Sequence, residues 1–178
     1  MQKLFTIASV IALQVSAINQ VTVDPNTRMF KDPQGRMMIF HGQNVVYKTP
    51  PYIPSDGAFD PNKSLNDEDV ANLVLWGQNF VRLGVMWEAV ERSPGKYDDE
   101  YLDKVEQLIN KLGEAGIYTL VDMHQDVFSR SICGEGFPDF YTKEIIKDSQ
   151  CINGFMDSIL KPLYDSTGMC KSIRDYGF

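Results

Sequence analysis

Three glutamates, Glu88, Glu91 and Glu135, would carry chemistry if two of them met in one pocket. A pair of carboxyl groups can cleave a glycosidic bond, with one group acting as acid and the other as nucleophile or base. The spacing of the three residues selects no pair. Because Glu88 and Glu91 fall in a charge-rich loop, we expect both of their side chains to be solvated.

Polar and aromatic residues also stand where predicted strands end. The first core strand ends near Lys48, the second at Trp87, and the third runs into His124 and Asp126. In barrels of parallel strands, the active site lies at the carboxyl ends of those strands. We therefore treat Lys48, Trp87, His124 and Asp126 as candidate pocket residues.

Arg82 and the two histidines each have more than one interpretation. Arg82 alternates with apolar neighbours, so its side chain should point inward and meet a carboxylate. Anchoring an active-site carboxylate is favoured over a purely structural ion pair. His41 begins its strand and is interpreted as a packing residue. A metal site built from His41, His124 and Asp126 is the alternative, but a chain with two histidines offers few ligands, and we predict no metal or other cofactor.

The pattern of apolar and turn residues predicts alternating strands and helices. Short strands are expected at 20–23 and 28–30, core strands at 37–47, 80–86 and 117–123, and helices at 66–76 and 99–115. This order predicts an α/β fold with a parallel sheet. A doubly wound fold is disfavoured, since no glycine-rich turn follows the first core strand.

The strand spacing predicts the N-terminal portion of a (β/α)8 TIM barrel in residues 18–178, incomplete in this chain. Strands recur about every forty residues, and eight such units need about 300 residues. Three units are present before the chain becomes rich in glycine and proline at Phe128. We interpret residues 128–178 as a long loop, with one helical stretch at 155–163.

Composition and the first residues indicate an exported protein. Residues 1–17 combine one lysine, an apolar run and a small-residue cleavage site, which is typical of a secretory signal peptide; a buried strand or helix is the alternative. We expect a secreted or lumenal protein without an integral membrane segment after signal removal. Three cysteines, Cys133, Cys151 and Cys170, would then allow one disulfide, without specifying which, and leave a third cysteine that is either a free thiol or paired elsewhere. A net charge of −7 argues against a nucleic-acid partner.

Two segments, 79–88 and 120–126, resemble family 5 of the glycoside hydrolases, and more narrowly its endoglycoceramidase branch. Supporting segments are 41–48, 94–98 and 133–136, so that the resemblance covers residues 35–140. Gln43 and Gln78 depart from the family pattern. The resemblance implies a retaining glycosidase that cuts a glycosphingolipid between glycan and ceramide, with contact to the membrane lipid substrate.

The resemblance also implies roles for individual residues. Arg82 matches the arginine that orients the nucleophile, and His124 matches a histidine that lines the sugar site. Lys48 and Asp126 resemble sugar-hydroxyl contacts, and Trp87 is placed with them as a substrate-binding residue. The acid and nucleophile glutamates of the family follow its fourth and seventh strands, so we expect both beyond Phe178.

Two functional hypotheses remain open from the sequence. The chain could be part of a full glycosidase that is active only with the remaining strands. Alternatively, it could be a truncated, catalytically silent sugar-binding or interaction protein. A sheet of three strands would expose its edges and tend to aggregate unless they are paired or covered.

Overall fold

The computed structural model describes residues 20–130 and 134–145. Three strands form an antiparallel sheet near the N-terminus: β1 (Thr22–Val23), β2 (Phe30–Lys31) and β3 (Met37–Met38). A parallel sheet follows, with β4 (Gly42–Val45) beside β5 (Phe80–Met86), and β5 beside β8 (Tyr118–His124). A hairpin is formed by β6 (Glu91–Ser93) and β7 (Lys96–Tyr97). The helices are α1 (Asp67–Leu75), α2 (Trp87–Val90), α3 (Asp99–Glu114) and α4 (Asp139–Ile145).

The parallel sheet confirms the expected order of strand, helix, strand, helix and strand. Gly42 pairs with Phe80, and Phe80 pairs with Tyr118, so the three strands start level with one another. Met86 pairs with His124 at the other end of the ladder. The carboxyl ends of β5 and β8 therefore lie side by side, and this edge carries the polar residues.

Local sequence explains where α1 begins and ends. The Asn66 side chain accepts from the backbone N–H of Asp69, and the Asp69 carboxylate accepts from the backbone N–H of Asn66. This reciprocal capping satisfies two N–H groups that a helix start leaves free. Gly77, with φ of 71°, follows the helix in the left-handed conformation that favours glycine. The predicted helix at 66–76 is confirmed.

The amphipathic helix α3 supplies one wall of the core. Its buried residues recur at helical spacing, and they pack with β5 residues such as Val81 and Leu83. The buried α3 side chains are Tyr101, Val105, Leu108 and Leu112. Among the helices in the described part of the chain, none is long and apolar enough to cross a membrane.

The predicted single strand at 37–47 is wrong, because the chain forms two strands there. β3 pairs antiparallel with β2, whereas β4 starts at Gly42 and pairs parallel with β5. Between them, the Phe40 ring lies 4.9 Å from the ring of Phe80 and 5.5 Å from that of Tyr118. This aromatic contact anchors the small antiparallel sheet at the amino ends of the parallel strands.

Three further elements differ from the sequence-based expectation. The short helix α2 and the β6–β7 hairpin fill the segment interpreted as a charged loop. Helix α4 forms within the segment interpreted as a long irregular loop. The expected helix at 155–163, the three cysteines and the signal segment lie outside the described residues.

Strand β8 is exposed along one side of the sheet. Within the described residues it pairs with β5 alone, and its side chains Leu120, Val121 and Met123 are exposed. A strand that leaves one edge unpaired and exposes apolar side chains is a site for association with another strand. The part of the chain that the structure describes contains no closed barrel.

Candidate functional site

A charged cluster lies at the carboxyl ends of the parallel strands. It consists of Lys48, which follows β4, His124, which ends β8, and Asp126 and Glu135, which form a backbone bridge with each other beyond β8. We call these four residues the Lys48 cluster. The structure thus brings together three of the candidate pocket residues and Glu135, one of the three candidate acids.

Lys48 sits between two carboxylates. Its Nζ lies 2.5 Å from Asp126 Oδ2 and 2.6 Å from Glu135 Oε1. The hydrogen bonds to Asp126 and Glu135 raise the pKa of the Lys48 ammonium above its usual value. The same Lys48 contact lowers the pKa of the Asp126 carboxyl. Asp126 has a side chain that is 52% exposed, whereas that of Glu135 is 9% exposed, so Asp126 is the carboxylate that a ligand can reach.

A second network lies beside this cluster and is centred on Asp122. Arg82 NH2 lies 2.6 Å from Asp122 Oδ2, and Arg82 NH1 donates to Asn44 Oδ1 at 2.6 Å. His124 Nδ1 lies 2.9 Å from the same Asp122 oxygen. The expected carboxylate partner of Arg82 is therefore Asp122 on the neighbouring strand, and this one oxygen holds both the guanidinium and the imidazole.

The pH dependence of stability should reveal the Lys48–Asp126 pair. The pKa of Asp126 is lowered in the folded state, so its contribution is present above the unfolded value of 3.8 and is lost as pH falls through the folded pKa. The pKa of Lys48 is raised, so its contribution is lost only as pH rises through a value above 10.5. We expect the stability difference between the wild type and Asp126→Asn to be constant from about pH 5 to pH 9, and to shrink in acid. Urea unfolding at several pH values measures it; a difference that persists undiminished at pH 2 would contradict the pairing.

Glu91 is buried and Glu88 is largely buried, with a side chain that is 11% exposed, which corrects the expectation that both are solvated. Glu91 is 2% exposed, and its carboxylate accepts from Trp87 Nε1 at 2.7 Å and from the backbone N–H of Gly95 at 2.7 Å. It also accepts from the Tyr141 hydroxyl at 2.9 Å. The Gly95 contact is the main reason why the pKa of Glu91 is lowered. Glu91 is held as a structural carboxylate by these partners.

Trp87 is positioned by the same contacts. Besides donating to Glu91, its indole packs against the ring of Phe137 at 4.7 Å and that of Tyr141 at 5.6 Å. The contacts of this side chain thus belong to the junction of α2 and α4, whereas Lys48, His124 and Asp126 form the cluster. A substrate-binding role for Trp87 stays a prediction.

The metal hypothesis fails on the position of His41. This residue directly precedes β4, whereas His124 lies at the last position of β8, six residues beyond the level of Gly42 and seven beyond that of His41. At ~3.3 Å per residue the two histidines are about 23 Å apart along the strands. Donor atoms of His124, Asp126 and Glu135 do lie within 4.8 Å of one another, but the Lys48 ammonium occupies the place between the two carboxylates.

Sequence reasoning missed Asp122 and Asn44 as partners in the site, and it named Glu135 as a candidate acid without predicting its pairing with Lys48. Asp122 could have been found, because it lies two residues before His124 on the same strand and so faces the same side. Asn44 is level with Arg82 in the register of β4 and β5. Glu135 reaches the site through a loop return that no local pattern indicates.

Comparisons with known proteins agree with this architecture. The family model described as cellulase, glycosyl hydrolase family 5, matches residues 29–161. The chain is 42% identical to an endoglycoceramidase of Cyanea nozakii and 38% identical to one of Hydra vulgaris, in each case over 120 residues and 67% of this chain. The chain spans about a quarter of the length of these relatives, 24% and 23%.

Solved structures show the same fold. An endogalactoceramidase crystal structure matches with a TM-score of 0.55 and 27% identity, over 70% of this chain and 30% of that one. The lactosyl-enzyme intermediate of endo-glycoceramidase II from Rhodococcus sp. matches with a TM-score of 0.52 and 30% identity, over 75% and 30%. The prediction of an α/β barrel portion is confirmed, and the family model covers well over half of the chain. The chain belongs to glycosyl hydrolase family 5.

Proposed function

We propose that this chain provides the sugar-binding part of a retaining glycosidase that hydrolyses O-glycosyl bonds in glycosphingolipids. The observation that carries the proposal is the Lys48 cluster beside the Arg82–Asp122–His124 network, at the carboxyl ends of the parallel strands. The relatives named endoglycoceramidase support the glycolipid as the substrate class.

The chemistry of the cluster suits a polyhydroxylated ligand. Asp126 offers an exposed carboxylate that accepts hydrogen bonds from hydroxyl groups, and the partly exposed Lys48 ammonium donates them. His124 Nε2 has no hydrogen-bond partner among the described residues and lies 3.3 Å from Asp126 Oδ2. Because His124 is buried and Asp126 is exposed, a sugar hydroxyl would reach the Asp126 carboxylate, with the imidazole lying behind it.

The retaining reaction needs two further carboxyl groups about 5 Å apart. Glu88 and Glu91 are not available for this role, because both oxygens of each carboxylate already accept hydrogen bonds from protein donors. Glu135 is paired with Lys48. We propose that the acid and the nucleophile lie outside the described residues, with Arg82 orienting the nucleophile.

A catalytically silent sugar-binding protein is the second candidate. The assembled sugar-contact cluster favours it, because binding could proceed without an acid and a nucleophile. The two candidates differ in turnover: a glycosidase releases lactose from lactosylceramide, whereas a binding protein binds the sugar without cleaving the glycolipid.

The test is to offer the full chain free lactose in calorimetry and lactosylceramide in detergent micelles. We expect lactose binding, and at least about a tenfold loss of affinity for Asp126→Asn, equal to ~1.4 kcal/mol of lost hydrogen bonding. Asp103→Asn is the matched control, since it makes the same chemical change on the exposed side of α3. Release of lactose by the protein that includes the remaining strands supports the glycosidase, and binding without release by that protein supports the second candidate. No lactose binding, or equal affinity for both variants, would sink the assigned site.

We also propose that the protein is secreted or lumenal, on the basis of the signal pattern in residues 1–17. Expression in a eukaryotic secretory host should place the product in the medium or the secretory lumen. N-terminal sequencing of that product should begin at Ile18. A product that stays in the cytosol and retains Met1 would contradict export.

A further inference from the structure

We propose that Glu88 is a positioning residue that holds the Lys48 cluster in place through Arg130 and the described loop residues 126–130 and 134–137. Among the described residues, the hydrogen-bond partners of the Glu88 side chain are Tyr52, Arg130 and Gly136, and none is a side chain of the cluster. Its partners instead hold the backbone at two places in the cluster: Arg130 binds the carbonyl of Lys48, and Gly136 follows Glu135. The inference rests on the proposed function only where sugar affinity is the readout.

The Glu88 carboxylate joins three segments of chain. Oε2 accepts from Arg130 Nε at 2.7 Å and from the Tyr52 hydroxyl at 3.2 Å. Oε1 accepts from Arg130 NH2 and from the backbone N–H of Gly136, both at 2.8 Å. The Glu88 backbone N–H donates to the Gly136 carbonyl at 2.8 Å. A carboxylate with four donors is fully satisfied, and two parallel bonds to a guanidinium set its orientation as well as its distance.

Arg130 carries this constraint to Lys48. While two of its N–H groups bind Glu88, NH2 also donates to the backbone carbonyl of Lys48. Its guanidinium lies 5.7 Å from the centre of the Tyr52 ring. Burial disfavours the charged guanidinium, but the hydrogen bonds and charge of Glu88 outweigh burial and raise the pKa of Arg130. The ion pair therefore fixes the main chain of the lysine whose ammonium holds Asp126 and Glu135.

The loop that Glu88 contacts contains backbone conformations that are unfavourable for its residues. Val127 has φ of 62° and Phe128 has φ of 152°, conformations that residues with a Cβ rarely adopt. A Cβ on Gly134 would lie 2.3 Å from the Asp126 carbonyl oxygen, and one on Gly136 would lie 2.2 Å from that of His124. Such conformations persist only where surrounding contacts impose them. Glu88 supplies such contacts next to Glu135.

Glu91 provides a matched control. It lies three residues from Glu88, is buried where Glu88 is largely buried, and also binds one backbone N–H and two side chains. Its partners lie in α2, α4 and the β6–β7 hairpin. Loss of a buried carboxylate at Glu91 should therefore leave the Lys48 cluster as it was.

The decisive experiment compares Glu88→Gln with Glu91→Gln in the full chain by amide hydrogen exchange. Glutamine keeps the volume of the side chain but removes the charge and one acceptor. We expect the amides of Glu135 and Gly136 to exchange at least about tenfold faster in Glu88→Gln. Amides in the β5–β8 ladder should stay within about twofold, and Glu91→Gln should leave the Glu135 and Gly136 amides unchanged. Equal effects of the two variants on the loop would overturn the proposal.

A pKa measurement and a second variant separate positioning of the cluster from general stabilisation of the fold. The Lys48 pKa, followed by NMR of its side chain, should fall towards 10.5 in Glu88→Gln and stay raised in Glu91→Gln. Arg130→Lys keeps the charge but cannot bind both Glu88 oxygens and the Lys48 carbonyl, so it should resemble Glu88→Gln. Wild-type behaviour of Arg130→Lys would overturn the proposal, as would loss of ladder protection in both variants.

Lactose affinity gives the functional arm. We expect Glu88→Gln to weaken lactose binding about tenfold, ~1.4 kcal/mol, and Glu91→Gln to leave it unchanged. If the wild type does not bind lactose, the proposed function fails, whereas exchange and titration still decide whether Glu88 positions the cluster. Unchanged lactose affinity in Glu88→Gln, with a loosened loop, would overturn the positioning role.

Discussion

Gly42→Ala is expected to produce the largest loss of stability among alanine substitutions of the described glycines. A Cβ at this position would stand 1.5 Å from the carbonyl oxygen of Phe80 and 3.0 Å from its Cα. These are backbone atoms of the paired strand, so no side-chain rotation relieves the clash. Overpacking usually costs about 1–3 kcal/mol, and we expect more than about 3 kcal/mol here because β4 must move away from β5.

Thermal unfolding checks this expectation, with Gly57→Ala as the control. A Cβ on Gly57 would lie 3.2 Å from Ser55 Oγ, a side-chain atom that can rotate away. We expect Gly57→Ala to lie within about 0.5 kcal/mol of the wild type. Because β4 carries Asn44 and leads to Lys48, Gly42→Ala should also weaken lactose binding. Similar melting temperatures for the two variants would show that β4 and β5 are not as close as the structure has them.

The elements that could be predicted from the sequence are those specified by local patterns. Helix α1 has its capping residues and its closing glycine within twelve positions, 66–77. Helix α3 repeats its apolar residues at helical spacing, and β5 alternates a polar Arg82 with buried neighbours. Each signal lies within a few residues of the structure that it specifies.

The features that could not be predicted depend on contacts distant in sequence. The strand expected at 37–47 is interrupted because Phe40 packs on rings about forty and eighty positions later, those of Phe80 and Tyr118. Glu88 and Glu91 lie in a charge-rich segment, yet their partners Arg130 and Tyr141 arrive from 42 and 50 residues further along the chain. Whether these carboxylates are buried is therefore decided by later segments of the chain that pack against them.

Lys48 is the residue whose loss should affect binding and stability together. In Lys48→Met, the exposed Asp126 carboxylate stays hydrated, but the buried Glu135 carboxylate loses its ion-pair partner. Removing one partner of a fully buried ion pair costs about 3–5 kcal/mol. The Lys48 side chain is 46% exposed, so we expect a smaller loss, about 2 kcal/mol. Lactose binding should fall below detection, since the ammonium donor and the alignment of Asp126 disappear together.

A double variant separates the two effects. Lys48→Met/Glu135→Gln removes the charge that the single change leaves unpaired, so most of the lost stability should return. Lactose binding should not return, because the donor to the sugar is still missing. Urea unfolding and calorimetry on the wild type, both single variants and the double variant complete the cycle. Recovery of lactose binding in the double variant would mean that Lys48 serves only to neutralise Glu135, and that the sugar contact has to be assigned to other residues.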